Sequence, residues 1–397
     1  MQQKVSLMNT KIFSVLFLAV FSATLGVGLI IPILPVYAHE LGATGLYIGL
    51  ILGVFSLSRT IFLPYFGKLS DLKGRKPFIT SGLLLYSMIS ILYILSKNVH
   101  MLILTRLFHG FAAAMVLPVA MAYVGEFTPK YKEGFIMSLF NISLYAGQSV
   151  GPVAGGIAKD HFGFEAPFLG MGLISLVGFL LCLILLPPRK HEHLLMHTKT
   201  PIRYRILIMN KYVGALFAFR LAFTICLGMV WVFLPILADT KFKLSGSAIG
   251  GLIMTGIFTS AILQVPMGLV ADRASKRTLI TLGGLITAIA IFSYAHAHGF
   301  WGLFLATTLF GVGGGVSMPA VMAMSVIIGR KTDSMGSIMG LLTMGHSLGM
   351  LVGPVLGGLM MDIFQLNLTF VGGAAIMALG VIVALLLTSG FQTWAKD

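Results

Sequence analysis

The chain has 397 residues, of which 57% are hydrophobic and only 10% charged, and its mean hydropathy is +0.97. A soluble protein normally devotes about a quarter of its residues to charge. Length enough for two or three soluble domains is here length for about twelve membrane spans of about 21 residues.

Apolar stretches of spanning length begin near Ile12, Leu46, Phe78, His100, Phe135 and Ala166, and six more begin near Lys211, Ser247, Thr278, Gly299, Met335 and Asn367. Barrel strands would be short and alternating, so the chain reads as an all-α integral membrane protein of twelve transmembrane helices. The first stretch, from about Ile12 to Ala38, is too long for a signal-peptide core and lacks a convincing cleavage site. The longest hydrophilic segment, Pro187 to Lys211, separates six spans from six. The expected domains are therefore 1–187, a linker at 188–210, and 211–397.

The formal charge of +15 would suggest nucleic acid in a soluble chain, but its distribution assigns it to topology. With the N-terminus in the cytoplasm, 20 Lys and Arg fall on the cytoplasmic side and 4 (Lys97, Lys159, Lys241 and Lys243) outside. The positive-inside rule then places both termini and the central loop in the cytoplasm of a bacterial-type inner membrane. No nucleic-acid partner is needed, and the basic central loop suits anionic lipid headgroups. Cys182 and Cys226 lie in apolar runs, so no disulfide framework, metal site or cofactor is expected. The expected partners are a small-molecule substrate, protons and membrane lipid, with the chain acting as a monomer.

Loop alignment exposes a duplication. Gly67–Lys76 (GKLSDLKGRK) recurs as Gly268–Arg277 (GLVADRASKR), which moves Asp71 to Asp272, a shift of 201. Gly147, Gly151, Pro152, Gly155 and Gly156 recur as Gly349, Gly353, Pro354, Gly357 and Gly358, a shift of 202, and Pro118 matches Pro319 at 201. Three matches in one register mark a duplicated six-helix unit. Because six is even, the two copies share one orientation.

These motifs carry a resemblance that covers essentially the whole chain. It resembles a major facilitator superfamily transporter, and within that superfamily the twelve-span drug:proton antiporters. The loop at Gly67–Lys76 resembles the signature between helices 2 and 3, Arg106-Leu-Phe-His109-Gly110 the Arg-x-x-Gln-Gly element of helix 4, and the proline–glycine run the antiporter signature of helix 5. The resemblance implies two pseudo-symmetric six-helix bundles, alternating access, and proton-coupled, multidrug-efflux-like export. It also implies a conformational latch of Gly67, Asp71, Arg75, Glu126 and Asp272, in which the arginine pairs with an acid ending helix 4. Gly67 itself is expected to permit close helix approach. The glycines of spans 5 and 11 give bare faces for tight packing, with Pro152 and Pro354 as kink points. Gly311–Gly315 in span 10 reads as packing too.

Polar residues inside spans are functional candidates. Arg59, Arg106 and Arg220 lie within spans 2, 4 and 7, whereas every Asp and Glu lies in a loop or at a span end. Arg220, Thr224 and Trp231 share a stripe suited to a pocket wall. Arg59, Arg106, Arg220 and Trp231 are thus the candidate substrate-binding residues, and His109, on the face of Arg106, is the candidate for proton coupling. His346 shares a face with Gly349 and Gly353 and reads as a helix contact. Two rivals to drug:proton export remain: a carrier of an organic anion or zwitterion built on the arginines, and a non-transporting receptor or scaffold. No nucleotide-binding loop or metal cluster supports an ATP-driven pump or a membrane hydrolase. The topology predicts that a Cys placed at Thr198 resists impermeant thiol reagents in intact cells; efficient labelling from outside reverses the orientation.

Overall fold

The structure is a computed structural model that describes residues 2–127, 133–187, 209–332 and 334–391; the side chains at 2–10, 126–127, 133–135, 137–138 and 335–336 are outside the described set. The first span is two helices, α1 (Gln2–Ile30) and α2 (Ile33–Glu40). Pro32 has no N–H to continue the ladder, so the single run expected from the sequence is interrupted there. Then follow α3 (Gly45–Lys73), α4 (Arg75–Leu95), α5 (Val99–Phe127), α6 (Glu133–Phe162) and α7 (Glu165–Leu185). The second copy comprises α8 (Lys211–Thr240), α9 (Gly246–Arg273), α10 (Lys276–Ala295), α11 (Gly299–Lys331), α12 (Met335–Ile363) and α13 (Leu366–Leu387). Eleven helical segments among the described residues are long and apolar enough to span a membrane. The twelfth expected span is α6, a helix of 30 residues.

The chain forms two compact units. Unit 1 comprises Met1–Gly42, Val54–Leu195 and Ser245–Met254; unit 2 comprises Ala43–Gly53, Met196–Leu244 and Thr255–Asp397. Each unit therefore takes in the first turns of one helix from the other sequence copy, α9 in unit 1 and α3 in unit 2. The linker expected at 188–210 falls almost wholly outside the described residues.

In unit 1, α6 carries two stripes of four-residue spacing. Gly147, Gly151 and Gly155 face α1, where a methyl on Gly151 would stand 2.6 Å from Gly28 Cα. Pro152, Gly156 and Asp160 face the start of α9: a methyl on Gly156 would strike the Gly246 carbonyl, and one on Gly250 the Pro152 carbonyl. Unit 2 repeats the scheme. Gly349, Gly353 and Gly357 of α12 pack on Thr224, Ile225 and Phe233 of α8, and Gly358 and Pro354 meet Gly45 and Gly49 of α3. Backbones this close leave no room for a β-carbon, which is why these positions hold glycine.

The second stripe ends in a carboxylate. Asp160 accepts from the Gly246 and Ser247 amides at 2.7 and 2.8 Å, and Asp362 accepts from the Gly45 and Leu46 amides at 2.6 and 2.8 Å. The first amides of a helix have no intrahelical partner and sit at its positive end, so each aspartate caps a helix other than its own. Each also follows its glycine pair by four residues, a recurrence at the same shift of 202 that was available in the sequence. Asp160→Ala and Asp362→Ala are each expected to lower the thermal midpoint of the purified protein by the equivalent of about 1 kcal/mol. The pair share no partner, so the double variant should be close to additive. An unchanged midpoint in both single variants removes the caps as stabilising elements.

Candidate functional site

In unit 1, Arg106 and His109 lie one turn apart on α5. Gly110 lets that helix approach α3 closely; a methyl there would strike the Phe55 carbonyl and the Ser58 side chain. Arg106 is 2% exposed and His109 fully buried. Arg106 Nη1 donates to Tyr93 Oη at 3.4 Å and approaches His109 Nδ1 at 3.4 Å, while Tyr93 Oη lies 3.0 Å from the same nitrogen. A guanidinium only donates, so Nδ1 accepts and the proton of the neutral ring is assigned to Nε2. The guanidinium stacks 4.8 Å above the centre of Phe55, and Tyr86 packs edge-on against the imidazole at 4.7 Å. Arg59, half-buried on α3, shares Tyr86 with Arg106 as an electrostatic neighbour. Arg106 Nε and His109 Nε2 are buried without a hydrogen-bond partner among the described residues. A desolvated cation–π contact returns about 2 kcal/mol, less than the several kcal/mol that burying an ion costs.

Unit 2 builds the same scaffold without that ion. Gly311 meets Gly256 and Thr259 as Gly110 meets Phe55 and Ser58, which fixes the correspondence at a shift of 201. Tyr294 stands for Tyr93, and Thr307 for Arg106. Tyr294 Oη donates to Thr307 Oγ1 at 3.0 Å, and Thr307 donates to the Leu303 carbonyl at 2.7 Å. The helix pair closes with every one of these groups satisfied, so the packing does not require an arginine.

The cation of unit 2 lies on α8. Arg220 Nη2 is 3.3 Å from His346 Nδ1, and Nη1 donates to Met318 Sδ at 2.7 Å. Thr224, one turn on, is buried and donates to the Arg220 carbonyl at 2.8 Å. Its counterpart Thr24 bonds the Val20 carbonyl at 2.8 Å, so Val20 is the unit 1 equivalent of Arg220. Arg220 and His346 line a cavity of about 140 Å³ with Met322, Met339, Leu342 and Thr343. His346 therefore reaches Arg220 and the cavity, rather than serving only the helix contact expected from its shared face with Gly349. Trp231 is half-buried eleven residues beyond Arg220, about 16 Å along the axis, and lies outside that lining. Arg59 and Arg106 belong to unit 1 and Arg220 to unit 2.

Arg75 donates to Asp71 at 2.6 Å and to Ser70 Oγ at 2.9 Å, and Ser70 donates to the Gly67 carbonyl at 2.8 Å. A methyl on Gly67 would meet no described atom within 4 Å, so the close approach expected at Gly67 is absent among the described residues. Asp272 is exposed, and the Glu126 side chain lies outside the described set. Lys76 and its counterpart Arg277 donate to the Leu183 and Leu385 carbonyls at 2.8 and 2.9 Å, satisfying last-turn acceptors of α7 and α13.

The profile of the Major Facilitator Superfamily matches residues 16–237 and 216–396. The quinolone resistance protein NorA of Staphylococcus aureus is 26% identical over 368 residues, covering 90% of this chain and 91% of that one. Multidrug resistance protein 2 of Bacillus subtilis is 27% identical over 379 residues, covering 93% and 94%. Among solved structures, a bacterial homolog of the human lysosomal transporter Spinster superposes with a TM-score of 0.84 at 13% identity, covering 97% and 98%.

The network around Arg106 separates two substitutions of His109. Glutamine offers a carbonyl to the guanidinium, so His109→Gln should melt close to the native protein. His109→Leu removes an acceptor from a buried donor and should cost about 1–3 kcal/mol. Equal melting of the two variants shows that the imidazole does not hold Arg106.

Proposed function

The chain belongs to the major facilitator superfamily, and on that premise we propose that it exports small organic molecules by alternating access, favouring those with an anionic or zwitterionic head. It is a multi-pass membrane transporter with multidrug-efflux relatives, not an enzyme. Export is taken from those relatives; the charge preference comes from the site. The observation that carries it is the asymmetry of charge on a symmetric scaffold. Thr307 and Val20 occupy the positions of Arg106 and Arg220 in the opposite copy, and both helix contacts still form. The cations Arg106, buried, and Arg220, half-buried, therefore serve something other than packing, and an organic anion is the partner whose charge they complement.

Coupling to protons belongs to the same reading. No Asp or Glu lies away from a span end, so a carried proton would ride on an imidazole or on the substrate's own carboxylate. His109 Nδ1 already accepts from Arg106 and Tyr93, so protonation there would displace the guanidinium. That places more of the coupling on the substrate.

The test is flux in proteoliposomes of three probes sharing one aromatic body, a carboxylate, a neutral amide and an ammonium, with and without an imposed pH gradient. The carboxylate should be moved fastest and respond to the gradient. Arg106→Gln and Arg220→Gln should each slow it about tenfold or more, the loss expected for a charge-assisted hydrogen bond of about 1.5–3 kcal/mol. Preferential transport of the ammonium, unaffected by either substitution, overturns the charge preference and leaves a cation exporter.

A further inference from the structure

The cavity on α8, α11 and α12 combines three chemistries that one ligand class would need together. Arg220 supplies a planar fork of donors. His346 Nδ1 faces a guanidinium nitrogen at 3.3 Å and so accepts from it, which leaves the neutral ring a donor at Nε2. Met322, Met339 and Leu342 form the apolar part of the lining, and methionine is the side chain that best adapts its shape to varied apolar bodies.

Charge within these helices is one-sided. Asp239 lies 19 residues beyond Arg220 on α8, and Asp362 16 residues beyond His346 on α12, or about 28 and 24 Å along the helix axes. α11 carries no Asp or Glu at all. A volume of about 140 Å³ is close to that of a cavity that takes one benzene ring, about 150 Å³.

We propose that this cavity is a carboxylate subsite: Arg220, oriented by His346 and Met318, receives the anionic end of an aryl or branched-alkyl carboxylate, whose apolar body lies on Met322, Met339 and Leu342. The proposal rests on the transport reading above and assigns its substrate head to unit 2. His346 is a positioning residue here, acting through Arg220, and Met322 sets the fit of the apolar body.

Equilibrium binding of benzoate and benzamide to the purified full-length protein in nanodiscs tests it. The native protein should bind benzoate at least tenfold more tightly than the amide. Arg220→Gln should bring the two affinities together without weakening the amide, and Arg220→Lys, which keeps the charge but loses the fork, should fall between. His346→Gln, which still accepts from the guanidinium, should retain most of the preference, and His346→Leu should lose it. Met322→Ala should weaken both probes by a similar factor. A native protein without preference for benzoate overturns the subsite. So does a preference that survives Arg220→Gln and vanishes in Arg106→Gln, which would assign the anion to unit 1. Benzoate flux in native proteoliposomes with binding indifferent to Arg220 keeps the transport reading and removes the subsite. Arg220-dependent binding without flux of any probe keeps the subsite and removes the transport reading.

Discussion

Backbone-to-backbone approach along α6 and α12 is the constraint from which the rest of the structure follows. In a membrane, helices gain little from burying apolar surface against one another, because lipid is as apolar as leucine; close contact, and the dispersion it brings, has to come from small residues. One stripe of each helix, Gly147–Gly151–Gly155 or Gly349–Gly353–Gly357, seats it on α1 or α8. The neighbouring stripe, through Gly156 or Gly358, seats it on the first turn of α9 or α3. Asp160 and Asp362 complete that second contact by satisfying amides that would otherwise lack a partner. Proline within the second stripe costs each helix one ladder bond at a place where the neighbouring backbone is already within contact distance.

With the scaffold set by these stripes, polar chemistry is free to differ between copies. Tyr93 and Tyr294 stand at equivalent places, yet one meets Arg106 and His109 and the other a self-sufficient threonine. Thr24 and Thr224 close the same turn, yet one follows a valine and the other Arg220. A transporter built by duplication can share packing between its copies without sharing polar partners.

Much of this was legible in the residues. The scarcity of charge gave the membrane, the Lys and Arg asymmetry gave an expected orientation, and the loop and glycine motifs gave the repeat and the family. These are local or additive properties: a span is apolar whatever surrounds it, and a glycine stripe is periodic before it is packed. The three arginines stood out for the same reason, since an ion in an apolar run is anomalous without any knowledge of its neighbours. Asp160 and Asp362 were equally available, four residues beyond each glycine pair, but their position at a span end made them look like ordinary interfacial acids.

Partnership between side chains came from the fold. His346 read as a helix contact because its spacing matched Gly349 and Gly353, and spacing records the face of a residue's own helix but not the side chain that arrives from another. Arg220 is 126 positions away in sequence, and no periodicity links the two. Likewise the tautomer of His109 follows from two donors, Tyr93 and Arg106, and one of them lies on a different helix. The membrane class, the duplication and the identity of the intramembrane cations could be read from the residues, because each is a property of local segments. The three-dimensional packing determined which groups share those cations and where a cavity remains, because both depend on side chains that converge from separate helices.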